Sequence, residues 1–156
     1  DAATQDDLLV WRFSGISPER SLGEPQTLVA GWEAGSGLAT VWIGLIGPEQ
    51  RLAVLLSPQP GRSPHLWHGP TFTPDQPFDL QIGIHTGMGP GGVMWRESDE
   101  SPWTSLSAAS PWGAERVIWP TNWGVGRDKR GTHNRPFRGD DLDVRWSTSQ
   151  FELRLP

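Results

Sequence analysis

The chain has 156 residues, a formal net charge of −5 and a pI near 5.3, and contains no cysteine. One domain with one core is the expectation for this length, disulfides and thiolate metal sites are excluded, and the acidic balance argues against nucleic acid or an anionic membrane surface as partner. No apolar run approaches the ~18 residues of a membrane-spanning helix.

Asp1 to Asp7 are polar and lack a basic or apolar signal segment, which suits either a mature N-terminus after signal removal or a module cut from a larger chain. The reading is therefore a polar tail over residues 1–7 and a single β domain over 8–156. Alternation with period two starts at Leu28, Ala30 and Trp32, then recurs at Ala39, Val41, Ile43 and Leu45, at Leu52, Val54 and Leu56, and at Phe78, Leu80, Ile82 and Ile84. Val93 to Trp95, Val117 to Trp119, Leu142 with Val144 and Trp146, and Phe151 with Leu153 and Leu155 continue it. Many short strands separated by glycine and proline predict an all-β antiparallel sandwich or barrel. The stretches 57–64 and 99–111, rich in Ser, Pro and Gly, read as loops within that domain, and the last residues from Ser147 read as strand.

The glycines of HTGMGPGG, residues 85–92, lie between two strand-like runs. A phosphate-cradling loop opens a helix, whereas this one leads into Val93, Met94 and Trp95, so it predicts a hairpin connection. The basic residues Arg127, Lys129, Arg130 and Arg135 sit among Gly, Asp, Thr and Asn and read as a solvated loop.

Two segments carry a family resemblance. PFDLQIGIHTGMGPGGVMWRE, from Pro77 to Glu97, and PFRGDDLDVRW, from Pro136 to Trp146, resemble the glycine-rich hairpin and the closing strand of laminin-G-like domains, a branch of the concanavalin A-like jelly rolls. Where that closing strand has Ile-Asp, this chain has Asp141-Leu142. The resemblance implies a jelly-roll sandwich, and that fold hosts lectins, adhesion modules, hydrolases and lyases alike.

Candidate functional residues follow from phase. Asp79, Gln81 and His85 lie opposite the apolar set of their strand, and Arg96, Asp143 and Arg145 take similar outward positions; a ligand-binding row and a solvated polar stripe both fit this pattern. Ten tryptophans without a tyrosine point to glycans wherever the rings are exposed, since an indole stacks on the C–H face of a sugar. Trp42, out of phase with Val41 and Ile43, and Trp67, Trp103, Trp112 and Trp123 in loop-like segments are the candidates for exposure, while Trp32, Trp95 and Trp146 fit core positions. Asp140, Asp141 and Asp143 are hard oxygen ligands of the type that suits Ca²⁺, and the laminin-G-like resemblance implies one such site; loop solvation explains the same residues.

Chemistry is less well supplied. His65 and His68, three apart on an extended chain, point to opposite faces and cannot chelate together. The acids of ESDES, from Glu97, lack the alternating spacing of a glucanase array. QIGIH, from Gln81, resembles the Gln-Ile-His motif of alginate lyases with two residues inserted, yet the chain has no tyrosine to donate a proton. The expectation is an accessory carbohydrate-binding module of a secreted or periplasmic protein, acting through Trp stacking and the polar row, with Ca²⁺ as an optional aid and further domains of a larger chain as neighbours. The alternatives are a jelly-roll lyase or hydrolase using His85 with Arg96, and a structural domain attached to an enzyme.

Overall fold

A computed structural model describes residues 8–17, 24–32, 39–57, 65–85, 92–108, 120–127, 135–148 and 152–156. These residues form a sandwich of two antiparallel six-stranded sheets. The first sheet has the order β12-β11-β1-β6-β7-β8, with β1 Leu8–Ile16, β6 Pro77–His85, β7 Val93–Arg96, β8 Thr104–Ser105, β11 Asp140–Ser147 and β12 Glu152–Arg154. The second has the order β10-β2-β3-β4-β5-β9, with β2 Gln26–Trp32, β3 Ala39–Ile46, β4 Arg51–Leu56, β5 His65–Thr71, β9 Ser107–Ala108 and β10 Asn122–Val125.

The core fills the space between the sheets. Leu9, Trp11 and Phe13 of β1 and Leu80, Ile82 and Ile84 of β6 meet Val41, Ile43 and Leu45 of β3 and Leu52, Val54 and Leu56 of β4. The alternation expected for β3, β4 and β6 is therefore the alternation observed. Trp11, Trp123 and Trp146 join the sheets at one end, with ring centroids 5.5–6.2 Å apart. β6 pairs antiparallel with β7, Ile84 opposite Val93, so the HTGMGPGG stretch links neighbouring strands as expected; its own residues 86–91 lie outside the described ones.

Several expectations are corrected. Leu28, Ala30 and Trp32 do not share a face: Thr27 pairs with Gly44 and Val29 with Ile43, so Leu28 is an extra residue in a bulge. The bulge turns Leu28 into the main core and leaves Ala30 and Trp32 in a second cluster on the outside of the β3 sheet. Strands β1 and β5, which the sequence reading passes over, are central and next-to-edge respectively, and the stretch read as a loop from Asp99 contains β8 and β9. Leu155 is buried, whereas Leu153, expected in phase with it, is 50% exposed on the border strand β12. Val117 to Trp119 and Phe151 lie outside the described residues.

Candidate functional site

On the outer face of the β1 sheet, register alone assembles a row. Arg154 stands opposite Arg145, Arg145 opposite Arg12, Arg12 opposite Gln81 and Gln81 opposite Arg96. Cross-strand neighbours lie about 4.8 Å apart, so this row would place guanidiniums side by side and destabilise the sheet without counter-charge. Carboxylates supply it. Asp99, in the turn after β7, takes Arg96 at 3.5 Å and Arg12 at 3.6 Å; Glu152 takes Arg145 at 3.7 Å and Arg12 at 3.8 Å. Asp143 takes Arg154 at 2.7 Å through one oxygen and Arg145 at 3.3 Å through the other.

Gln81 is the centre of the arrangement. Its amide nitrogen donates to Asp99 Oδ1 at 2.8 Å, and its amide oxygen accepts from Arg96 Nε at 2.9 Å. The Gln81 hydrogen bond, followed by the Arg12 and Arg96 charges, holds the Asp99 carboxyl below its ordinary value against an opposing desolvation effect. Arg96 also lies 4.2 Å over the Trp103 ring, a cation–π contact, and that ring in turn covers Gly83. Arg12 donates to Ser147 Oγ at 2.9 Å. Two positions along β1, Ser14 sits between Asp79 of β6 and Asp143 of β11. Arg12, Arg145, Gln81, Ser14, Asp79 and Asp143 line an open depression of about 380 Å³.

The structure therefore brings together five of the expected residues, Asp79, Gln81, Arg96, Asp143 and Arg145, on one face. Others fall away from it. His85 faces the same side as Gln81 but lies four residues further along β6, about 13 Å away. The Gly83–Met94 pair and Trp103 intervene, so His85 and Arg96 form no acid–base pair. The buried Nδ1 of His85 has no hydrogen-bond partner among the described residues.

Trp42 and Trp67 are corrected outright. Trp67 is 1% exposed in the main core, its strand β5 lying between β4 and β9. Trp42 does point outward, yet is only 4% exposed, because its indole folds across Gly44, where no β-carbon obstructs it, and donates to Thr27 Oγ1 at 2.9 Å. Trp123 belongs to β10 and packs in the Trp11–Trp146 cluster. Trp103 is half-buried beneath Arg96, and Trp112 lies outside the described residues. Among the described residues, the large hydrophobic side chain that is exposed is Leu153.

In the acidic segment Asp143 turns both oxygens to guanidiniums, and among the described residues no three acidic or histidine side chains converge closely enough to hold a metal ion.

Arg12, Asp99, Glu152 and Arg154 are the members that sequence reasoning missed. Arg12 carried a signal, as a charged residue between Trp11 and Phe13 in an alternating run. Asp99 carried none, since only the register of β1, β6 and β7 places a turn residue beside three strands. Compared with known proteins, the chain matches no family model and no curated protein.

Proposed function

We propose that this chain is an accessory carbohydrate-binding module with a concanavalin A-like, laminin-G-like sandwich, and that the outer face of the β1 sheet is its saccharide platform. The observation that carries this reading is the row Arg145, Arg12, Gln81 and Arg96, whose orientations are fixed by Asp99, Asp143 and Glu152 before any ligand arrives. Sugar hydroxyls donate and accept at once, so they need donors and acceptors interleaved at close range. The depression offers guanidinium and amide donors beside the carboxylate of Asp79 and the hydroxyl of Ser14. Pre-ordering lowers the entropy lost on binding, which favours recognition over an adaptable charged surface.

In this reading hydrogen bonding, rather than stacking by the described tryptophans, carries affinity. Catalysis finds less support, because Asp143 has both oxygens engaged and His85 stands apart from Arg96. A secreted or periplasmic location and attachment to a larger chain accord with an accessory module.

The test is a broad glycan-array screen with and without calcium, followed by calorimetry on each hit with Gln81→Ala and Arg12→Ala. The expected result is saturable, calcium-independent binding that either substitution weakens by roughly tenfold or more, the equivalent of one charge-assisted hydrogen bond. Absence of any saturable hit, or a hit indifferent to both substitutions, would overturn the proposal.

A further inference from the structure

A second depression lies between the sheets rather than on a face. At the turn joining β5 to β6, Phe78, Leu80 and Trp95 on the inner side of the β1 sheet face Pro70 and Phe72 across a cleft of about 650 Å³. That volume lies within the range of small-molecule sites. Phe72 and Phe78 meet edge-to-face at 5.4 Å, so the aromatic walls are mutually braced.

The floor of the cleft is built in advance. Ser17 is 2% exposed and acts as a hub for the turn: its hydroxyl donates to the Thr73 carbonyl and accepts from the Gln76 amide at 3.2 Å. Its own amide donates to the Gln76 carbonyl at 2.9 Å, and its carbonyl accepts from the Asp75 amide at 3.3 Å. A turn held by so many bonds keeps Phe72 in place without a ligand.

The cleft and the outer depression adjoin, since Asp79, Leu80, Glu97 and Ser98 line both. Among the described residues, no lysine, arginine or histidine lines the cleft itself, while Asp79 and Glu97 stand where it meets the outer depression. Neither makes an ion pair with a described residue, whereas Asp99, Asp143 and Glu152 on the adjoining face are each paired with arginine. Both carboxylates are exposed: Glu97 follows Trp95 by two residues past the end of β7, and Asp79 lies on the outward side of β6 between Phe78 and Leu80. Two carboxylates without an ion-pair partner among the described residues thus border aromatic rings, whose faces are also negative, in a preformed cleft of mixed polar and apolar lining.

We propose that this cleft binds a small organic cation, a protonated or quaternary amine carried on an apolar or aromatic ring. The ring lies between Phe72, Phe78 and Trp95, and the ammonium meets Glu97 and Asp79. A metal ion is a poor occupant, since aromatic walls offer no hard ligands, and an anion is repelled. An uncharged apolar molecule would leave the two carboxylates unused. The inference does not require that the outer face binds saccharide, although Asp79 and Glu97 border both sites.

The test uses the whole chain and two probes of matched shape, phenethylamine, which is cationic at neutral pH, and phenethyl alcohol, which is not. Binding is followed by calorimetry and by the Trp95 indole resonance. The expected result is saturable binding of the amine at least about tenfold tighter than the alcohol, one decade being the contribution of one charged contact in a partly solvated setting. Phe72→Ala weakens both probes, whereas Glu97→Gln with Asp79→Asn removes the preference for the amine while leaving alcohol binding and the thermal melt unchanged. Equal affinity for the two probes, a preference that survives the double substitution, or no saturable binding of the amine would each overturn the proposal.

Discussion

On the outside of the β1 sheet, Arg12, Gln81, Arg96 and Arg145 are tied to one another and to carboxylates; on the outside of the β3 sheet, Ala30, Trp32, Trp42 and Ala53 make a small core of their own, with Ile46, Leu55 and Leu66 packed against it. Both faces are reached by the same two-residue alternation. What separates them is how each outward position is satisfied. Polar groups on the first face need fixed partners, and the register supplies them. The large ring on the second face needs cover, and Gly44 supplies the flat bed on which it lies.

The largest expected effect that would break this contrast is at Trp42. If the second face is a true packed layer, Trp42→Ala costs about 3–5 kcal/mol in urea denaturation, the range for a buried aromatic truncated to alanine. A cost near zero would make that face ordinary surface. Next comes Gly44→Ala, whose β-carbon would collide with the Trp42 ring and the Gln26 carbonyl; overpacking of this kind costs about 1–3 kcal/mol and should quench or shift the Trp42 fluorescence.

Smaller effects test the polar face. Arg12→Ala should cost below about 1 kcal/mol, because its ion pairs are solvent-exposed, and should show as a modest fall in the denaturation midpoint that salt further reduces. The smallest is a pH effect at Asp99. Its folded-state pKa lies below the ordinary aspartate value of about 3.9, so its contribution is fully present above that value and is lost as pH falls through the depressed one. Asp99→Asn should flatten the acid limb of the stability curve in that window and leave its neutral region's slope untouched, read from urea midpoints at stepped pH.

The sequence and the fold agree where alternation is uninterrupted and fail where packing overrides it. Val41, Ile43 and Leu45 announce β3, and Phe78, Leu80, Ile82 and Ile84 announce β6, because every second residue is apolar and every one of them is inside. In β1 the run Leu8, Leu9 and Val10 hides the period, since Val10 lies on the outer face and is nevertheless 7% exposed. In β5, Gly69 and Pro70 look like a turn, but a side chain at 69 would strike Leu52 and Leu106, so the glycine there serves packing. Half of the candidate site was readable as outward polar residues on β6, β7 and β11. The other half, Arg12 with its partners Asp99 and Glu152, depends on strand order, which no local pattern encodes. The burial of Trp42 was unreadable for a similar reason: phase places it outside, and only Thr27 and Gly44 on neighbouring backbone reveal that it is covered.

Among the described residues, the strands that border the two sheets are β12 and β8, β10 and β9, and they are two to four residues long. A foreign chain seeking to extend either sheet therefore meets few free ladder groups, and on β12 it also meets Glu152 and Arg154. Cutting the chain before Glu152 would uncover β11, an eight-residue strand with Leu142, Val144 and Trp146 behind it. The short strand β12 thus serves as the guard of a much longer and stickier edge, and its loss would be felt first in self-association.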